Sequence, residues 1–167
     1  MTRRIVSITP FHNETHILDL RIGILEDTVD HFYTIEANKT FTNRDKEMLA
    51  KTIVHPKHTV VEIEFPEHLT TWGRENYQRD VKVDLSAYND DDIVLINDLD
   101  EIPNPKALEK LREIFDPDRL IWMDTIESGR FADTNSVFVA PTEWDLRIQE
   151  FDADRWALRF VKFVLTE

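Results

Sequence analysis

The run Ile93-Val94-Leu95-Ile96 constrains this chain more than any other stretch. It is continuous, apolar and rich in β-branched side chains, the pattern of a strand buried on both faces of a sheet. It stops at Asn97-Asp98-Leu99-Asp100-Glu101, where three of the last four residues are carboxylates. Ile102-Pro103-Asn104-Pro105 then forces the chain out of the sheet. Asp98 and Asp100 stand at i and i+2 and would point the same way on a continued strand, so their hard oxygens could share one divalent cation. Ligands of open α/β sheets bind at such carboxyl ends. A solvated acidic turn accounts for the same residues, because Asp, Asn and Pro are ordinary turn formers. On the triplet alone both readings stand.

Strand and helix patterns alternate around this run. Arg4 to Thr9 reads as a first strand ended by Pro10. Asn13 is placed as N-cap of a helix over 14–26, with Ile17, Leu18, Arg21, Ile24 and Leu25 on one face and the aliphatic stem of Arg21 completing the stripe. His31 to Ile35 is a second strand, 44–51 a charged helical segment, and Thr59 to Phe65 a third strand nearer the sheet edge. Tyr77, Val81 and Leu85, at successive i+4 steps, extend a helix from Trp72 to Ala87. A helix with Pro105 at its first position runs through Leu108, Leu111 and Ile114. Leu120 to Ile126 and Ser136 to Val139 read as strands, and Trp156 to Leu165 as a last helix or strand. The alternation through residue 115 predicts an α/β fold, a mostly parallel central sheet with helices on both faces. A chain of 167 residues is expected to form one domain, 1–167.

Charge removes several function classes. Lys plus Arg total 20 against 33 Asp plus Glu, a net charge of −13 that repels nucleic-acid polymers and anionic membranes. A phosphorylated ligand would need a local basic group or a metal to overcome that field. With no cysteine, disulfides, zinc–thiolate sites and cysteine nucleophiles are excluded. No membrane span and no signal-peptide core is visible, so a cytoplasmic location is expected.

Three loops leave the expected parallel strands at their carboxyl ends: Pro10-Phe11-His12-Asn13-Glu14, Glu36-Ala37-Asn38-Lys39-Thr40, and Asn97 to Glu101. In a doubly wound sheet they converge on one crevice, where polar side chains can read a base and ribose. Local capping competes with that role: Asn13 caps a helix, Asn38 or Thr40 closes a turn, and Glu36 suits either purpose. In Trp72-Gly73-Arg74-Glu75-Asn76-Tyr77-Gln78-Arg79-Asp80, Arg74 with Gln78 and Glu75 with Arg79 are i, i+4 neighbours. The segment is either a surface ion-pair ladder or a helix whose guanidinium faces a diphosphate. All six histidines precede residue 69 and make no known metal motif. Gly-x-Ser-x-Gly, Walker and Gly-x-Gly-x-x-Gly signatures are absent.

Taken in order, five stretches resemble glycosyltransferase family 17, the family of the β-1,4-mannosyl-glycoprotein N-acetylglucosaminyltransferase that adds bisecting GlcNAc. They are Asn13-Glu14 with Leu18 and Arg21, Val29-Asp30 before a strand, Glu36 to Thr42, Trp72 to Asp80, and Asp98-Leu99-Asp100-Glu101-Ile102-Pro103. The resemblance covers about residues 5 to 115. It implies a GT-A-like, Rossmann-like nucleotide-binding fold, with 1–115 as the nucleotide-sugar part and 116–167 as a short acceptor-side part. It further implies metal-dependent transfer of a sugar, GlcNAc for example, from a UDP-sugar to a hydroxyl of a glycan or other glycoconjugate. Carried over residue by residue, Asp98 and Asp100 hold Mn²⁺ or Mg²⁺ and the donor. Arg74, Arg79 and Asp80 lie near the donor, and Glu36 near the nucleoside. Pro10, Phe11 and Asn38 from the converging loops complete the donor set. Family members usually run well past this length, so a reduced form or a part of something longer is expected. GT-A enzymes often use a late His as a further metal ligand, and no His follows His68.

Inverting transfer also needs a carboxylate to take the acceptor proton. Asp124, at the end of Leu120-Ile121-Trp122-Met123, is placed first, ahead of Glu127, Asp133, Glu143 and Asp145. Two rival functions remain. A metal-dependent nucleotidyltransferase would want another carboxylate from a neighbouring strand, and a non-catalytic nucleotide-sugar or divalent-metal binding module would bind donor without turning it over.

Overall fold

The computed structural model describes residues 3–89 and 91–114, with side chains through 113, and the backbone of four later strands. In chain order the elements are β1 (Ile5–Phe11), α1 (Thr15–Leu25), β2 (His31–Ala37), β3 (His58–Ile63), α2 (Thr71–Arg79), β4 (Ile93–Ile96), α3 (Pro105–Ile114), β5 (Ile121–Glu127), β6 (Arg130–Val139), β7 (Leu146–Gln149) and β8 (Phe160–Phe163). The apolar run is β4, and Ile93, Val94 and Leu95 are each wholly buried. Six strands form one sheet in the order β3-β2-β1-β4-β6-β5, while β7 and β8 form an antiparallel pair of their own. β3, β2, β1 and β4 are mutually parallel, and β6 adds antiparallel to β4. The chain is therefore mixed α/β, built on a four-stranded parallel sheet.

Successive residues of β1 alternate between two cores, as the period of a strand requires. Ile5 and Phe11 pack with Leu18, Ile22 and Leu25 of α1 and with Leu108 and Leu111 of α3. Val6 and Ile8 pack on the other face, with Ile35, Val94, Val83 and Leu85. Cover on that second face thus comes from the segment after α2, which corrects the expectation of a helix from Trp72 to Ala87. α2 ends at Arg79, where the Asp80 N–H donates to the Asn76 carbonyl at 2.9 Å. Val83 and Leu85 are buried while Lys82 and Asp84 are exposed, so the segment is extended, with a period of two. The i+4 spacing of Tyr77, Val81 and Leu85 concealed that shorter period.

Other boundaries moved for physical reasons. β1 runs through Pro10 because β4 pairs only with Ile5 to Ile8, so the missing proline N–H falls where that side of the strand has no partner. Glu14, not Asn13, occupies the N-cap of α1, and its carboxylate accepts from the N–H groups of His12 and Asn13 at 3.2 and 3.0 Å. Segment 44–51 is not helical beyond a short 3₁₀ turn at Ala50–Thr52. Lys39 bridges to Asp45 around a tight turn in which Asn43 adopts φ 64°, a conformation Asn tolerates. The expected start of α3 is met: Pro105 is its first residue, and Asn104 Oδ1 accepts from the Lys106 N–H at 3.0 Å. The last expected element falls partly on β8 and otherwise outside the described residues. Among the described residues no helix is long and apolar enough to cross a membrane.

The start of the sheet is clamped by Asp92. Its carboxylate accepts from Arg4 N, Nε and Nη2 at 2.7, 2.8 and 2.5 Å and from the Asn89 N–H at 2.9 Å. Burial pushes this carboxyl up, but the Arg4 and Asn89 bonds outweigh it and hold the group below its ordinary value. A lowered folded-state pKa stabilises above the unfolded value of about 3.9 and loses that contribution as pH falls through the folded one. Asp92→Asn is expected to cost about 1–3 kcal/mol at neutral pH, the range for a charged hydrogen-bonded group. It should also flatten the acid limb of the stability curve below about pH 4, which urea unfolding across pH will check.

Candidate active site

A cavity of about 370 Å³ opens at the carboxyl ends of β1 and β4. That is where strand order reverses direction, the usual ligand crevice of an open α/β sheet. One half is apolar and aromatic, lined by Pro10, Phe11, His12, Ile17 and Phe41. The rings of His12 and Phe41 lie 6.3 Å apart, inclined by 27°. Glu14, Glu75, Arg79, Asp98 and Asp100 bring charge to the remainder, with Gln78 and Leu99. Among these described residues four carboxylates face one guanidinium.

The acidic turn owes its shape to Arg21. This side chain is wholly buried in α1, and both terminal nitrogens of its guanidinium are engaged beneath the turn, while Nε is buried without a hydrogen bond. Nη1 donates to the carbonyls of Asp98, Leu99 and Glu101 at 3.2, 3.2 and 2.9 Å. Nη2 donates to Ser7 Oγ at 3.2 Å and Asn97 Oδ1 at 2.6 Å, while Asn97 Nδ2 donates to the Glu101 carbonyl. Burial pulls the guanidinium down to about 10 against the charges of Glu101, Asp100 and Asp98, so it stays protonated at neutral pH. The expected apolar stripe holds at Leu18, Arg21 and Leu25, but Ile24 is exposed and Ile22 is buried in its place, and the charged head of Arg21 turns inward and not toward water. An Arg at a core position of an amphipathic helix was the available signal.

Asp98 and Asp100 both reach the cavity, on either side of Leu99. Asp98 is half-buried and lies against Arg79: Nη1 stands 2.5 Å from Oδ1, and Nη2 donates to Oδ2 at 3.0 Å. Arg79 also reaches Glu75 Oε1 at 3.5 Å, so the i, i+4 pair read from the sequence is its weaker partner. Asp100 is exposed. Glu101 accepts from the Asp98 N–H at 3.1 Å. Burial, with the charges of Asp98 and Asp100, pushes its carboxyl up despite that bond and nearby Arg79. Glu14 moves the other way: burial raises it, but the N–H groups of Asn13, Glu14 and His12 prevail and keep it ionised.

The remaining expected site residues with described side chains, Glu36, Asn38, Arg74 and Asp80, do not line the cavity. Glu36 is wholly buried; its carboxylate accepts from Lys46 Nζ at 2.5 Å and from the N–H groups of Leu49 and Ala50 at 2.9 and 2.8 Å. Lys46 in turn lies 5.8 Å above the Phe11 ring. Arg74 is buried, and its Nη1 donates to the Phe41 carbonyl at 3.0 Å. The Asn38 carbonyl accepts from the Lys46 N–H at 3.0 Å, and its Oδ1 is buried without a hydrogen bond. Asp80 sits exposed at the end of α2. Gln78, which the sequence offered only as a neighbour of Arg74, stitches the site together: Nε2 donates to the Phe11 and Ile35 carbonyls at 2.9 and 2.6 Å. Only the backbone of Asp124 is described. It lies in β5 one residue past Met123, which pairs with Ser136, and the β5–β6 register shifts between Met123 and Thr125. Leu95 and Ile121 share the partner Phe138, so Asp124 stands in the sheet beyond the level of Ile96.

The sequence model of glycosyltransferase family 17 matches residues 1–126, which span every described cavity residue. The chain belongs to glycosyltransferase family 17. Comparison with the curated proteins finds no match, nor does comparison with the solved structures. Membership makes this a glycosyltransferase, an enzyme that joins a sugar donor to an acceptor. Among the described residues no three His, Asp or Glu side chains converge into a ready-made metal centre.

Proposed function

We propose that this family 17 glycosyltransferase uses a UDP-sugar donor with Mn²⁺ or Mg²⁺, in a GT-A-like, Rossmann-like domain, and passes the sugar with inversion to a glycan or glycoconjugate hydroxyl. GlcNAc is the sugar favoured by family resemblance. The observation that carries the reading is the charge of the cavity. Four carboxylates and one guanidinium would repel a diphosphate, and a divalent cation between acid and phosphate removes the conflict. Asp98 and Asp100, both at the cavity, would supply two hard oxygens to such an ion. They would hold the ion, and the chemistry it would supply there is neutralisation of charge on the departing nucleotide.

The chain's own residues do the remainder. Phe11, His12 and Phe41 offer ring faces and edges to a flat base, and Arg21 holds the Asp98–Glu101 turn at fixed height. The acceptor oxygen bonds to the anomeric carbon as the bond to the diphosphate breaks and its electron pair leaves with the nucleotide. The acceptor proton passes to a carboxylate, for which Asp124 remains our candidate because its strand position lies at the functional edge. The test is Asp100→Asn, a change at an exposed side chain that leaves the core intact. UDP affinity in saturating Mn²⁺ is expected to fall about tenfold or more, equivalent to about 1.4 kcal/mol, with unfolding unchanged. Calorimetry showing metal-independent UDP binding, equal in the variant and the parent chain, would overturn the reading.

A further inference from the structure

Asp98 already has a cation beside it, the guanidinium of Arg79. The contact is close but poorly aimed. Nη1 lies 2.5 Å from Oδ1, yet Oδ1 and the buried Nε of Arg79 are both without a hydrogen bond. Nη2 makes the one well-formed bond to Asp98, at 3.0 Å, and Glu75 is distant at 3.5 Å. A guanidinium has five N–H donors in a fixed fork, and these carboxylates use only part of it. Phosphate oxygens match that fork bidentately. Arg79 is also the last residue of α2, where the helix dipole favours a cation whether or not Asp98 holds it.

We propose that Arg79 works in two positions, as the counter-ion of Asp98 before a nucleotide arrives and as a ligand of the nucleoside diphosphate once it is bound. The inference rests on the donor reading above. A divalent cation arriving alone meets a guanidinium on its carboxylate and is opposed by it. A cation arriving with a nucleotide gives Arg79 a new anionic partner and releases Asp98. Metal and nucleotide therefore favour each other's binding, and by linkage each strengthens the other by the same factor. The device keeps the acidic turn from holding free metal and commits the site to the metal–nucleotide pair.

The test uses opposite signs. Mn²⁺ is titrated calorimetrically into the full chain without nucleotide, and UDP is titrated in saturating Mn²⁺. Arg79→Gln is expected to bind Mn²⁺ alone about fivefold tighter than the parent chain, and UDP about tenfold weaker. Arg79→Lys keeps the charge but loses the fork, so its Mn²⁺ affinity is expected to stay near the parent value while UDP affinity falls. Unchanged or weaker Mn²⁺ binding in Arg79→Gln, or unchanged UDP binding in both variants, would overturn the proposal. A parent chain that binds no UDP in the presence of Mn²⁺ overturns the donor reading itself, a result distinct from either.

Discussion

Arg21→Met is expected to destabilise the fold by about 3–5 kcal/mol, the range found when one partner of a buried charged network is removed. Methionine fills the space of the aliphatic stem, so the loss is that of the guanidinium. Without it the carbonyls of Asp98, Leu99 and Glu101 and the amide oxygen of Asn97 lose their shared donor. Each buried acceptor left unpaired costs about 1–3 kcal/mol, only partly recovered by relaxation. Against a total stability of about 5–15 kcal/mol the change is severe, and Tm is expected to drop by about 6–20 °C. Arg21→Lys should recover little, because one ammonium has three donors and cannot span the arc from Ser7 to Glu101. Urea unfolding gives the stability change. Mn²⁺-dependent UDP binding, measured well below the variant's Tm, gives the functional one. A variant that stays folded with full UDP affinity would show that the turn holds its shape without the arginine.

How far the sequence could be read follows from what its patterns encode. The run Ile93 to Ile96 and the first strands were legible because burial on both faces leaves a continuous apolar signature. Asp98 and Asp100 were legible as cavity residues because the strand before them fixed where the chain emerges, although β4 ends at Ile96 and the two lie on a turn and not on a continued strand. Residues 81 to 85 were not, because Tyr77, Val81 and Leu85 satisfy a helical step while Val81, Val83 and Leu85 satisfy a strand step. The helix ends between them without a proline or glycine to mark it. Arg21 and Glu36 show a deeper limit. A charged residue on a core face can send its head to water or turn it inward, and the difference lies in distant partners: carbonyls 77 to 80 residues away for Arg21, and two N–H groups 13 and 14 residues away for Glu36. Spacing along one element carries no record of them. The same holds for Arg79, whose near partner Glu75 was visible and whose stronger partner Asp98 was not.

Glu36→Ala carries the second large effect, again about 3–5 kcal/mol, because it strands the largely buried Lys46 ammonium and two main-chain donors together. Glu36→Gln should cost less yet not be neutral, since its NH₂ group would meet donors where the carboxylate offers only acceptors. The damage is expected to reach the cavity. Segment 39–50 carries Phe41, and Lys46 rests over the ring of Phe11, so loosening Glu36 frees both aromatic walls while Asp98 and Asp100 keep their turn. UDP affinity should therefore fall in Glu36→Ala, while binding of Mn²⁺ alone stays near that of the parent chain. The double variant Glu36→Ala, Lys46→Met separates the causes. If the stranded ammonium dominates, removing it recovers stability and the two changes are strongly non-additive. If the N–H groups of Leu49 and Ala50 dominate, the double variant is no more stable than Glu36→Ala. Recovery of stability without recovery of UDP affinity would place the functional role of Glu36 in the ordered path of the 39–50 segment, while full retention of both in Glu36→Ala would refute the anchor altogether.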